Sequence, residues 1–538
     1  MGLFVSLLQI ISGVRAKTFL VWVVFRPFLA IFAFIMGNNK ESNMEAGVGG
    51  YRRVIKYLGI FGGAQGLSVL LGMVRNKAAS LLLRTGGFGA MADYNRTAQF
   101  FSDTTGLSLS LSAVRRLSDT YSNGSDDEVR HCVKVVRSIA LLTGIVGMTL
   151  MLLLSPLLSQ WMFDGGYDDA LRLVAVAPVV FFLAVSNGEL AVLRGVGQPG
   201  RIALYTLWTA VSALLVAVPL YFFFGKPAVV PVIFLVALLQ MGGALFFSTK
   251  LYSYKANPFS RHLLREGLDI VKLGAGYIYS TAIMSGALWV LYQMIKRMGG
   301  DSALGIFSAG YILVGMLPSI LFASFDSDYY PRLSGIFAQK DRRNTMVNEH
   351  IEVHLLVQVP VLLGVVLLLP WIFPLLFSQE FLPALQMVQL AVFALLFHVL
   401  TYPISFMPVS KGDTLVFALQ ETLYNMSFVL LTLFGFRHSG WLGAGVGMAL
   451  ARMIDLAVAY SIARFRYGFR LSDRAVKFFV MALLAGVAVM LTVFGAHRYP
   501  WLGYCGFAVV AVVAAVSLYR LSLSGQVLSY IFKRIFKK

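Results

Sequence analysis

The chain has 538 residues, of which 58% are hydrophobic and only 13% charged, and its mean hydropathy is +0.76. A soluble domain lies nearer half apolar and a quarter charged, so a water-soluble enzyme or binding domain is excluded and an all-α polytopic membrane protein is indicated. The net charge of +20 does not point to nucleic acid, because the cations sit mostly in short loops between apolar runs, where they set orientation.

Taken in chain order, residues 1–50 form an N-terminal extension. Within it the apolar stretch Thr18–Met36 is broken by Arg26-Pro27, and a charge at that depth is costly. The stretch fits neither a clean span nor a cleaved signal peptide. Three readings stay open: an interfacial helix on the inner leaflet, a non-native segment upstream of a start at Met44, or an additional span. From Tyr51 onward about fourteen transmembrane helices are predicted from apolar runs long enough to cross roughly 30 Å of hydrocarbon. They cover 54–83, 88–113, 135–158, 170–193, 202–224, 228–248, 270–297, 303–325, 351–377, 383–409, 414–436, 440–463, 475–496 and 501–520. Alternate loops hold most of the Lys and Arg: Arg115, Arg116, Arg130, Lys134 and Arg137, then Lys250, Lys255, Arg261 and Arg265, then Arg332, Lys340, Arg342 and Arg343, then Arg464, Arg466, Arg470 and Arg474. The positive-inside rule puts those loops, Tyr51 and the C-terminus in the cytoplasm.

Short motifs recur at a nearly fixed distance. Gly86-Gly87 echoes Gly299-Gly300 (299 − 86 = 213), Arg116-Leu117-Ser118 echoes Arg332-Leu333-Ser334 (332 − 116 = 216), and Pro156 echoes Pro370 (370 − 156 = 214). Six spans separate equivalent positions, an even number, so two copies face the same way, as a parallel repeat. The expected organisation is a first lobe over 51–250 (spans 1–6), a second over 251–464 (spans 7–12), and 465–538 holding two extra C-terminal helices and a basic tail. The path of a transporter would lie between the lobes.

Charges inside the spans are the functional pointer in such a chain. Span 1 carries Arg75 and Lys77 and ends near Arg84; span 2 carries Asp93, Arg96 and Asp103; span 4 carries Glu189; span 7 ends in Lys296-Arg297; Asp326 and Asp328 close span 8; span 11 holds Glu421 and span 12 holds Arg452 and Asp455. Arg452 and Asp455 are one turn apart and read as a neutralising pair. Arg75, Lys77 and Arg96 lie too deep to reach the headgroups together. Two readings compete for them: an ion-pair network within the lobe using Asp93 and Asp103, or cationic walls of a water-filled cavity, where a guanidinium grips phosphate oxygens by paired hydrogen bonds. At the 213 offset Arg84 matches Arg297, and the two are placed to face each other across an outer mouth. Asp93, Asp103 and Glu189 are candidate coupling acids. His354 and His398 have no ligand-type neighbours at metal spacing, Cys132 and Cys505 are far apart, and no cofactor, metal site, nucleophile–base set or ATP motif is visible, so the chain does not read as an enzyme.

The segment Val74-Arg75-Asn76-Lys77-Ala78-Ala79 through Gly86-Gly87-Phe88-Gly89 resembles the opening of the multidrug/oligosaccharidyl-lipid/polysaccharide exporter superfamily. Ala323-Ser324-Phe325 through Tyr330-Pro331-Arg332-Leu333-Ser334, and the turn Lys411-Gly412-Asp413, resemble its Wzx-type polysaccharide (O-antigen) translocase branch. The resemblance covers about residues 50–520. It implies two six-helix lobes in a V plus two further helices in the bacterial inner membrane. It also implies translocation of undecaprenyl-pyrophosphate-linked oligosaccharide from the inner to the outer leaflet by alternating access, with a polysaccharide polymerase and a chain-length regulator as further partners beside the membrane lipids. Arg75 matches a cavity arginine of the similar lipid II flippases, although Asn76 follows it here in place of an acid. Arg75, Lys77, Arg96, Arg84 and Arg297 are then the expected substrate-binding cations, and Tyr94, Tyr277, Tyr279, Trp289 and Tyr311 are rings available to sugars. A cation-coupled drug exporter is the alternative within the superfamily, and it needs an acidic cavity. A membrane-embedded glycosyltransferase is the alternative outside it, and it needs larger outer loops than these.

Overall fold

The computed structural model describes residues 50–106, 109–163, 167–273, 275–321, 329–330, 332–495, 499 and 501–523. The extension before residue 50, Ala323-Ser324-Phe325, Asp326, Asp328, Pro331, the basic tail, and the side chains of Lys272 and Tyr277 lie outside the described residues. Residues 60–538 form one compact unit; of the separate unit Met1–Gly59, the described part is the helical run from Gly50.

The described residues contain helices and no strands, because a segment in lipid must satisfy its backbone groups within itself. The helices are α1 (Gly50–Thr105), α2 (Leu109–Asn123), α3 (Asp126–Phe163), α4 (Tyr167–Gly195), α5 (Pro199–Phe224), α6 (Val229–Thr249), α7 (Arg261–Leu273), α8 (Ala275–Leu321), α9 (Lys340–Leu376), α10 (Ala384–Lys411), α11 (Thr414–Tyr467), α12 (Asp473–Gly495) and α13 (Leu502–Leu523). Among the described residues eleven helical stretches are long and apolar enough to cross a membrane. Three of them fold back at a non-helical break, α1 at Arg84, α8 at Gly300 and α11 at Ser439-Gly440. Each of these three holds two spans, which gives the fourteen expected. In the first half α3 packs on α4, α4 on α6, and α5 on α6. In the second half α10 packs on α11, α8 on α11, and α9 on α10, α12 and α13. The amphipathic α7 lies against α2 and α3 of the first half, with Leu263 buried among Val135, Ile139 and Ala140.

Backbone geometry fixes the register of the duplication. Arg84 (φ 53°, ψ −169°) and Gly300 (φ 72°, ψ −174°) make the same reversal, an offset of 216 (300 − 84). Gly225 (φ 63°, ψ −137°) and Gly440 (φ 56°, ψ −135°) make another, an offset of 215 (440 − 225). The glycine pairs at 213 are therefore three residues out of register. The counterpart of Arg84 is Gly300, not Arg297. A local two-fold passes where spans 2 and 8 cross: a Cβ on Gly89 would overlap the Asp301 carbonyl, and a Cβ on Gly305 would overlap the Thr85 carbonyl. Those two contacts exchange under the same offset (305 − 89 = 301 − 85 = 216).

Arg84 is the one non-glycine residue with positive φ among the described residues, in a region that side chains avoid at a cost of about 1–3 kcal/mol. Its ion pair with Glu380 is long, 3.9 Å, and exposed, so it offsets little of that strain. Arg84→Gly is expected to stabilise the protein by about 1 kcal/mol, read as a rise of a few degrees in the melting temperature of purified protein; a fall would show that the Arg84 side chain matters more than its backbone.

Candidate functional site

Between the lobes lies a cavity of about 380 Å³. Its lining comes from spans 1, 2, 4, 5 and 6, with only Tyr292, Ser308 and Ile312 supplied by the second lobe. Arg75 and Arg96 both line it, together with Asn76, Asn95, Gln99, Tyr221 and Gln240. The Arg96 guanidinium lies over the Tyr292 ring, 5.4 Å from its centroid, and Arg75 donates to its neighbour Asn76 at 3.4 Å. Among the described residues neither arginine has a carboxylate within 4.0 Å, whereas three other cations deep in the helices do. Lys296 meets Asp93 at 2.6 Å, Arg137 meets Glu189 at 2.9 Å and Arg452 meets Asp455 at 3.2 Å. Two guanidiniums on one cavity wall, with no carboxylate within 4.0 Å among the described residues, are suited in charge to an anion.

The remaining sequence candidates occupy other places. Lys77 is turned away from the cavity, and its Nζ donates to the Pro374 and Phe377 carbonyls at the end of span 9, 2.7 Å each. Arg84 meets Glu380. Arg297 donates to the Trp161 carbonyl at 2.5 and 3.2 Å and lies over the Trp161 ring, so Arg84 and Arg297 have separate partners. Asp93 is fully buried at the seam between spans 2 and 7, where it accepts from Gln293 and Lys296, 2.6 Å each. Asp103 lies on the same seam and accepts from Ser285 and Gln99 at 2.8 Å. Neither acid forms an ion pair within 4.0 Å with Arg75 or Arg96, although Arg96 is near enough to Asp103 to act on it electrostatically. Glu189 is held by Arg137. Trp289 donates to Thr97 at 3.0 Å and stacks on Phe100, Tyr279 bonds Thr422, Tyr311 stacks on Phe307, and Tyr94 is buried.

The seam joins the lobes at the Arg84 and Gly300 end. Besides the Asp93 and Lys77 contacts, Lys226 reaches Asp301 at 3.0 Å, the Ser378 amide donates to the Ser80 hydroxyl at 3.0 Å, and Phe88 packs edge-on against Phe377 and Phe381. Sequence reading missed Lys296, Gln293 and Ser378 as seam partners, and it missed Gln240, Asn95 and Tyr221 as cavity lining. It also placed Arg137 among orienting loop cations, although an acid as deep as Glu189 signals a buried partner.

The second lobe fills the equivalent interior. Arg452 contacts His398 at 3.1 Å and Asp455 at 3.2 Å beneath the Tyr424 ring. Its counterpart in the first lobe is Ala237 (452 − 237 = 215), a wall residue of the cavity. The counterparts of Arg75, Lys77 and Arg96 at 216 are Leu291, Gln293 and Ile312, so the cations belong to the first copy alone.

Known proteins place the fold. The lipid II flippase MurJ in an inward closed conformation superposes with a TM-score of 0.61 at 14% identity, covering 88% of this chain and 98% of that one. A multidrug resistance MATE family transporter of the MOP superfamily in an inward-facing conformation superposes at 0.57 and 14% identity, covering 72% and 94%; an outward-facing conformation gives 0.53 and 17%, covering 77% and 94%. At these identities the likeness concerns the fold of two lobes. No curated protein sequence matches the chain. The family described as polysaccharide biosynthesis protein matches residues 54–337, more than half the length. The chain is a multi-pass membrane protein that belongs to the polysaccharide biosynthesis protein family.

Proposed function

We propose that this protein is a flippase for a lipid-diphosphate-linked oligosaccharide of the O-antigen or capsule type. It moves that substrate from the leaflet beside the basic loops, read as cytoplasmic, to the opposite leaflet of the bacterial inner membrane. The observation that carries the reading is the pair Arg75 and Arg96, two guanidiniums on a cavity wall with no carboxylate within 4.0 Å among the described residues. A diphosphate supplies the missing charge through charge-assisted, two-pronged hydrogen bonds. A lipid-linked substrate keeps its tail in the bilayer while the headgroup sits between the lobes. The seam at the Arg84 and Gly300 end supports a resting state closed toward the outer leaflet, and alternating access opens it. An organic cation fits poorly, because no carboxylate lines the cavity among the described residues.

Double replacement Arg75→Ala, Arg96→Ala is the test. Each charge-assisted contact contributes about 1.5–3 kcal/mol, so surface glycan export in cells that depend on this protein is expected to fall more than tenfold while immunoblotting shows normal abundance. Wild-type export by the stable double variant would falsify the reading.

A further inference from the structure

The two arginines account for the charge of the cavity, and its other polar groups have a character of their own. They are carboxamides, Asn76, Asn95, Gln99 and Gln240, joined by the phenols of Tyr221 and Tyr292 and by the Ser308 hydroxyl, which donates to the Gly305 carbonyl at 3.0 Å. Among the described residues no third cation and no acid lines the space. The duplicated lobe shows that this lining is not what the repeat supplies by default. Asn76 and Asn95 correspond to Tyr292 and Tyr311 (292 − 76 = 311 − 95 = 216), and Gln240 corresponds to Asp455 (455 − 240 = 215). Ala213 corresponds to the buried Phe428 (428 − 213 = 215). The second copy is packed with rings around an internally neutralised ion pair. The first is hollow, and its neutral amides each carry donors and an acceptor. Two of these amides are anchored: Asn95 donates to the Met91 carbonyl at 2.9 Å and Gln99 to Asp103 at 2.8 Å. Anchoring through nitrogen leaves the amide oxygen as an acceptor for a ligand hydroxyl.

We infer that the cavity selects a diphosphate whose attached sugar is uncharged, and that Asn76, Asn95, Gln99 and Gln240 read the hydroxyl and amide groups of that sugar. The inference rests on the diphosphate reading above. A diphosphate diester carries two negative charges, which the two guanidiniums match. A uronate adds a third charge with no cation to meet it, and an unpaired charge in an apolar wall is expensive. A site that offers hydrogen-bonding groups to hydroxyls discriminates strongly against a ligand without them, because its own polar groups are then left unsatisfied.

Purified protein in lipid nanodiscs is titrated with three short-chain prenyl diphosphate esters, of methanol, of N-acetylglucosamine and of glucuronic acid. The N-acetylglucosamine ester is expected to bind about tenfold or more tighter than the methyl ester, and the glucuronate ester no tighter than the methyl ester. In Asn95→Ala, Gln240→Ala protein the gain from the neutral sugar is expected to shrink to about threefold or less. Equal affinity for the two sugar esters, or no gain from the neutral sugar in the wild type, overturns the inference while leaving the diphosphate reading standing. Absence of binding by all three esters, together with wild-type export by the Arg75→Ala, Arg96→Ala protein, overturns the diphosphate reading and the inference with it.

Discussion

A disulfide between the lobes, built from Ser80→Cys and Ser378→Cys, is expected to reduce transport to background and to release it on reduction. The serines already touch: the Ser378 amide donates to the Ser80 hydroxyl at 3.0 Å, and the Ser378 hydroxyl donates to the Ser80 carbonyl at 3.3 Å. Lys77 ties the same two helix ends together three residues away. Any motion that opens this end separates span 1 from span 9, and a covalent bond there cannot be worked loose by thermal fluctuation. The chain has two native cysteines, so the experiment is run with Cys132→Ser and Cys505→Ser in place. Flipping of a fluorescent lipid-diphosphate sugar is followed in proteoliposomes before and after oxidation, with each single cysteine as the control. Undiminished flipping by fully cross-linked protein would mean that this seam stays shut throughout the cycle and that the headgroup leaves by another route.

The seam also shows what a single sequence makes legible. The fourteen spans were readable because each is a long apolar run, and lipid permits only one way to satisfy its backbone. The duplication was readable, but its register was not, because a glycine pair fits on either side of a turn. The reversal falls at Arg84, whose side chain gives no sign of it. Arg75 and Arg96 stood out as charges too deep to reach water. Sequence proximity groups Lys77 with Arg75, yet two residues on a helix are about 200° apart, and the structure turns one into the cavity and the other to span 9. The partners of Asp93 lie 200 and 203 residues away in the chain. Only tertiary packing brings such groups together, and a lone acid in a span reads equally as coupling site or structural pair.

Glu189 is where those two readings separate most cleanly. Replacing Arg137 with alanine is expected to destabilise the fold by about 3–5 kcal/mol, since it strands a buried carboxylate. Arg137 and Glu189 are 1% and 2% exposed. The guanidinium uses all five of its donors: Nε and Nη2 to the carboxylate, Nη2 also to the Ser248 hydroxyl at 3.5 Å, and Nη1 to the Ser253 and Tyr252 carbonyls at 2.8 and 3.2 Å. One side chain thereby fastens spans 3, 4 and 6 and the strap that follows span 6. Lysine supplies a charge but not the fork, so Arg137→Lys is expected to recover little. Arg137→Met with Glu189→Leu removes both charges together and is expected to restore most of the melting temperature, because a buried pair contributes little net stability over apolar residues of similar size. Thermal unfolding in detergent reads the stability, and flipping per folded molecule reads the function. A double variant that is stable and transports identifies the pair as structural; one that is stable and inert identifies Glu189 as a coupling acid; single variants that melt like the wild type would remove the buried-charge argument altogether.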